Sequence, residues 1–200
     1  MALMKLLDGG ECMYKTDPEF IIFTGPMFGS KTTRLLAQLD RFVYQHKNVV
    51  AYKPVMDNRY SNIEICTHSG GKFPACGVST GDDILSHLTS LDHDVDVIAV
   101  DEAFMIDGVA SVLLELYRRG KTIIVSSLQL SASGNVFEEV RDMMPWATKI
   151  EICPAVCPIT GRDAYYTHRK VDGLSEIEVG GADMYEPRCW EYHTYMNCKE

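Results

Sequence analysis

Two rhythms of apolar residues alternate along the chain. Residues 20–23, Phe-Ile-Ile-Phe, form a short apolar run between Asp17-Pro18 and Gly25-Pro26, the pattern of a buried strand. From Thr32 onward Leu35, Leu36, Leu39, Phe42 and Val43 recur at helical spacing. The same reading predicts strands over 48–53, 95–100, 122–127 and 148–152, and helices over 82–91, 108–119 and 135–144, the last closed by Pro145. Residues 54–80 are rich in Gly, Asn, Ser and Pro, with 63–66 as a possible strand. Strands alternating with helices imply right-handed βαβ units, hence an α/β fold with a largely parallel sheet and helices on both faces. Residues 1–18 lack periodicity and read as a leader, 19–152 as the main domain. From Cys153 the pattern changes to turns and short segments, so 153–200 is expected to form a small second domain.

Composition narrows the class. With 200 residues, 46% of them hydrophobic and 24% charged, the chain is an ordinary globular protein that needs no disulfide scaffold. A net charge of −9 argues against a general nucleic-acid partner, because phosphate backbones reward clustered Lys and Arg. No stretch approaches the roughly 20 apolar residues that cross a bilayer, and residues 1–11 are too polar for a secretory signal, so a cytoplasmic location is expected. The seven cysteines are odd in number and read as reduced thiols, some of them available to a metal.

The chemistry concentrates after the first strand. Gly25, Pro26, Met27, Phe28, Gly29, Ser30, Lys31, Thr32 and Thr33 follow the order strand, glycine-containing loop, lysine, hydroxyl, helix. Backbone N–H groups at such a loop cradle phosphate oxygens, the lysine neutralises charge and the hydroxyl reaches Mg²⁺. This is the phosphate loop of a P-loop NTPase, with one exchange: the residue before Lys31 is Ser30, and the glycine stands at Gly29. The strand over 95–100 ends at Asp101-Glu102, where an acid can serve Mg²⁺ and a neighbouring carboxylate can take a proton.

Several further segments carry a resemblance. These are Lys53-Pro54-x-x-Asp57-x-Arg59-Tyr60-Ser61, Thr67-His68-Ser69, Asp101-Glu102-Ala103, Ala155-Val156-Cys157 and Gly180-Gly181-Ala182-Asp183-Met184-Tyr185. Together with Gly25-Pro-Met-Phe they make the chain resemble, over roughly 20–193, the thymidine kinases of the cytosolic, viral and bacterial type. The resemblance implies a RecA-like P-loop sheet with a small lasso or zinc-ribbon-like domain, MgATP and thymidine as ligands, and a homo-oligomer, usually a tetramer inhibited by thymidine triphosphate. It assigns Lys31 to the β- and γ-phosphates, Thr32 and Asp101 to Mg²⁺, Glu102 to general base and Arg59 to the transferring phosphoryl group. Met27 and Leu128 would line the nucleoside pocket, and a lasso over about 166–185 would close on it through Tyr185.

Departures from the family pattern leave alternatives open. Phe104 stands where the family has Gln, and Gln129 and Ala132 stand where it carries an Asp and a pocket aromatic. The family zinc pairs retain Cys157 and Cys189, but their partners here are Thr160 and Tyr192. A rearranged zinc set of Cys153, Cys157, Cys189 and His193 competes with a metal-free small domain. An active thymidine kinase competes with a degenerate paralogue that partners an intact one, and with a kinase for another nucleoside. Exchanging the loop residues back, Gly29→Ser with Ser30→Gly, is expected to raise ATP affinity. Trp146 and Trp190 are expected in the core or at an interface.

Overall fold

The computed structural model describes residues 17–57, 61, 63–171 and 175–197. In chain order the elements are β1 (Phe20–Thr24), α1 (Lys31–Tyr44), β2 (Val49–Pro54), β3 (Glu64–Cys66), β4 (Lys72–Pro74), β5 (Cys76–Val78), α2 (Gly81–Ser90), β6 (Val97–Val100), α3 (Val109–Arg118), β7 (Thr122–Ser127), α4 (Glu138–Met143), β8 (Lys149–Ile152), β9 (Ala155–Val156), β10 (Asp163–Ala164), β11 (Tyr166–Arg169) and β12 (Tyr185–Arg188). Six of the strands form one parallel sheet in the order β5-β2-β6-β7-β1-β8.

The continuous apolar runs follow from burial on both sheet faces. Phe20 and Ile22 of β1 point to one face, where Ile84 of α2 and Val112, Leu113 and Leu116 of α3 cover them. Ile21 and Phe23 point to the other, against Leu35, Leu36, Leu39 and Phe42 of α1. Each such side chain contributes about 1.5–3 kcal/mol on burial. The helix α2 is fixed by a capping box in which Thr80 accepts from the Asp83 N–H and Asp83 accepts from the Thr80 N–H.

The boundaries agree with the sequence reading to within a few residues, with three exceptions. Two strands lie outside the expected ones: β4 pairs with β3, and β5 joins the edge of the main sheet beside β2. The helix expected over 135–144 begins only at Glu138, because Ser131 and Asn135 pair in a tight loop with Gly134 at φ 82°. After β8 come two small antiparallel pairs, β9 with β10 and β11 with β12. Trp146 and Trp190 are not in the core: they are 44% and 55% exposed, and Arg118 covers the Trp146 ring.

Candidate active site

The phosphate loop leaves the C-terminal end of β1, where ligands bind in open α/β sheets. Its shape depends on the first residue after β8. The Cys153 N–H donates to the Thr24 carbonyl at 2.7 Å, which brings the Cys153 carbonyl against the loop. A Cβ on Gly25 would lie 2.4 Å from that oxygen, and one on Gly29 would lie 2.3 Å from it. Glycine at position 29 is therefore required by a backbone contact. Ser30 caps α1 at φ 59°, the left-handed conformation that favours glycine. The expected benefit of exchanging the two residues is thereby overturned, since position 29 has no room for a side chain.

Lys31 opens α1, is 6% exposed, and donates from Nζ to the Pro26 carbonyl at 2.7 Å. The next hydroxyl, Thr32 Oγ1, donates to Asp101 Oδ1 at 3.2 Å. Asp101 follows β6, and β7 lies beside β6, so the Ser126 hydroxyl reaches Asp101 Oδ1 as well. Burial, reinforced by the neighbouring Glu102 charge, pushes the Asp101 carboxyl up to about 7 against the hydrogen bonds from Ser126 and Thr32 and the charge of Lys31. Glu102 turns the chain sharply at φ 50°.

A hydroxyl and a carboxylate 3.2 Å apart at the mouth of a phosphate loop suit Mg²⁺, a hard cation that takes oxygen ligands. Its binding requires the Asp101 carboxylate in ionised form. Mg²⁺ affinity is thus expected to rise with pH through about 7. The sign for metal-free stability is opposite. The folded carboxyl keeps its proton above the ordinary value of 3.8, so its contribution is full below that value and is lost as pH rises to about 7. Thermal melts with and without Mg²⁺ from pH 5 to 8 check both slopes.

Two cavities meet at this point. The larger, about 320 Å³, is lined by the loop over 27–33 and by Lys53, Thr67, His68, Asp101 and Glu102. The smaller, about 30 Å³, is lined by Phe104, Leu128, Phe137, Ile177 and Tyr185 among others. Met27 and Glu102 line both. One side of the smaller cavity is formed by a strap over 175–184, which contributes Glu176, Ile177, Glu178 and Gly180. That strap leads into β12. Its Tyr185 hydroxyl donates to the Glu178 carbonyl at 2.9 Å, and Arg169 donates to the Tyr185 hydroxyl at 3.3 Å. The Met27 N–H donates to Thr167 Oγ1 at 3.0 Å, tying the phosphate loop to β11.

The structure thus brings together Gly25 to Thr33, Asp101, Glu102, Leu128 and Tyr185, while Arg59 lies outside the described residues. Phe104, at the departure from the family Gln, packs its ring 4.5 Å from that of Phe137 and closes one wall of the smaller cavity. Sequence reading passed over Ser126, Phe137 and Thr167. The available signal was the Ser126-Ser127 pair ending an apolar strand, since both serines are fully buried.

The four residues of the rearranged zinc set fall in different places. Cys153 is buried between the sheet and α1, and its thiol approaches the Glu151 carbonyl at 3.6 Å. His193 donates from Nε2 to the Thr167 carbonyl at 2.9 Å and accepts at Nδ1 from the Tyr195 N–H at 3.3 Å, which commits both ring nitrogens. Cys157 and Cys189 do share one small cluster. There the Thr160 hydroxyl lies 3.6 Å and an Arg162 nitrogen 3.8 Å from Cys189 Sγ. Burial alone would raise the Cys157 thiol. The N–H of Cys189, the hydroxyl and N–H of Thr160 and the N–H of Ile159 outweigh it and bring the thiol down to about 6. No group of three or more His, Cys, Asp or Glu side chains suited to a metal occurs among the described residues.

Comparison with known proteins agrees with this layout. The profile of the thymidine kinase family matches residues 19–193. Over 182 residues the chain is 34% identical to the thymidine kinase of Thermococcus kodakarensis, an alignment covering 86% of this chain and 92% of that protein.

Proposed function

The chain belongs to the thymidine kinase family, and from that premise we propose that it phosphorylates the 5′-hydroxyl of thymidine with ATP. The observation that carries this reading is the position of Glu102 at the junction of the phosphate cleft and the smaller cavity. A 5′-hydroxyl reaching out of the second toward the first would meet that carboxylate.

In this mechanism the 5′-oxygen attacks the γ-phosphorus in line, its proton passes to Glu102, and the bond from the γ-phosphorus to the bridging oxygen breaks to release ADP. Lys31 leaves the Pro26 carbonyl to pair with the β- and γ-phosphates, and the α1 N-terminus adds its N–H groups. Thr32 and Asp101 would hold Mg²⁺, which supplies charge neutralisation on the phosphates. The convergence of these side chains supports an active enzyme over a degenerate paralogue.

The finer assignments are part of the same reading. Residues 153–200 act as the nucleoside-closing unit of a cytoplasmic homo-oligomer, a tetramer as in the family. In the corner formed by Cys157 and Cys189, the Thr160 hydroxyl and the Arg162 cation take the place of the metal that the family pattern holds there. Purified protein given MgATP and thymidine is expected to yield labelled thymidine monophosphate. No turnover, together with no ATP-induced thermal shift, would overturn the proposal.

A further inference from the structure

Two sets of polar contacts hold the strap over 175–184, and they differ in weight. In the first, Glu176 Oε1 accepts from the Ser133 hydroxyl at 2.7 Å and from Asn135 Nδ2 at 3.0 Å. Both bonds are exposed, so water competes for each partner and their net contribution is small. The second set starts from Arg169 of β11, which is half-buried. Its Nη2 donates to the Ser175 carbonyl at 2.9 Å, to the Glu176 carbonyl at 3.4 Å and to the Tyr185 hydroxyl at 3.3 Å. Bonds from a charged donor are the stronger kind.

Sheet register explains how one side chain reaches both ends of the strap. Arg169 stands directly opposite Tyr185 in the β11–β12 pair, and its guanidinium lies 5.6 Å from the centre of the Tyr185 ring. The Tyr185 hydroxyl passes the contact on by donating to the Glu178 carbonyl at 2.9 Å. One guanidinium thereby fixes the start of the strap, its middle through Tyr185, and its return into β12. What it fixes is a wall of the smaller cavity, to which Glu176, Ile177, Glu178, Gly180 and Tyr185 all contribute. From the loop over 131–135, Ala132 offers that cavity only a methyl group, so more of the hold on a base falls to the strap.

We infer that Arg169 is a positioning residue for the nucleoside: it shapes the strap that encloses the base and so sets thymidine affinity without touching the substrate. The inference rests on the kinase reading above. The base is enclosed alike before and during phosphoryl transfer. The contribution is therefore uniform binding, which appears in KM and leaves kcat in place. The role in overall stability is smaller. Arg169 Nε is enclosed by protein without a hydrogen-bond partner among the described residues, which offsets part of what Nη2 contributes.

The test measures thymidine KM, ATP KM and kcat in the wild type, Arg169→Met and Arg169→Lys, together with their melting temperatures. Methionine keeps an apolar stem and removes every donor. Lysine keeps the charge but lacks the planar fork, so it restores part of the hold. Arg169→Met is expected to raise thymidine KM by about 10-fold, the lower end of what hydrogen bonds from a charged donor contribute, with ATP KM and kcat little changed. Arg169→Lys is expected to fall between that variant and the wild type. Tyr185→Phe removes the relay to Glu178, so combining it with Arg169→Met is expected to cost less than the two separate losses added. An unchanged thymidine KM in a variant that melts like the wild type overturns the inference, as does a loss confined to kcat. A rise in both KM values with a lowered melting temperature also overturns it, since that marks a general loss of structure. Should Arg169→Met fail to fold, Arg169→Lys and Tyr185→Phe decide by the same criteria. A wild type without turnover overturns the kinase reading itself, and this inference with it.

Discussion

Glu102→Gln is expected to lower kcat for thymidine phosphorylation by roughly 10²–10⁴-fold, the range a positioned general base contributes. The amide preserves shape and the sharp turn at φ 50°, so KM for ATP and the melting temperature are expected to change little. The substitution has a second, independent signature. The Glu102 charge is one of the causes that raise the Asp101 carboxyl toward 7, after burial. Removing that charge lets Asp101 ionise at lower pH, so Mg²⁺ binding is expected to extend downward in pH while turnover is lost. A variant retaining more than about a tenth of kcat would place the proton acceptor elsewhere. A variant with lost turnover and an unmoved Mg²⁺ profile would show that the two carboxylates are not coupled.

Legibility in the sequence tracks how local each signal is. Lys31, Thr32 and Asp101 could be placed because each follows an apolar strand, and strand ends are where parallel sheets expose chemistry. Ser126 sits at the end of β7 in the same way, yet its contact with Asp101 depends on β7 lying beside β6, a sheet order that periodicity does not carry. Three-residue β5 has no pattern of its own and is a strand only because β2 offers an edge. The small pairs β9 to β12 run two to four residues each and depend likewise on tertiary contacts.

Cys153 and His193 show how tertiary contacts separate residues that spacing alone would pair. Each lies four residues from a cysteine of the small cluster, as a ligand pair would. Cys153 is instead drawn into the main core by its N–H bond to Thr24, and His193 spends both nitrogens on backbone. Of the two places expected for Trp146 and Trp190, only the core is excluded, since large apolar area does not oblige a residue to be inside. The volume of the smaller cavity was illegible as well, because it is set by Phe104 stacking on Phe137 across more than thirty residues of chain.

Gly29→Ser is expected to damage the phosphate loop severely, whereas Ser30→Gly is expected to improve it. At position 29 a new Cβ would stand 2.3 Å from the Cys153 carbonyl oxygen and 3.1 Å from that of Pro26. Both neighbours are backbone, and Cys153 is tied to β1 through Thr24, so neither can yield without moving the loop or the edge strand β8. Overpacking of this kind costs about 1–3 kcal/mol, and the displaced N–H groups would no longer converge on phosphate. At position 30 the existing side chain holds φ 59°, a conformation that costs a non-glycine residue about 1–2 kcal/mol. Glycine relieves that cost but loses roughly 0.5–1 kcal/mol to the unfolded chain, leaving a gain of about 0–1.5 kcal/mol. For a chain of this length each 1 kcal/mol corresponds to a rise in melting temperature of about 2–4 °C. The double exchange should therefore follow the glycine-29 variant, with a lower melting temperature and a weakened ATP-induced shift. Melts of both single variants and the double, with and without MgATP, decide the matter. Tighter ATP binding by the double variant would mean that Cys153 does not hold the loop as the structure has it.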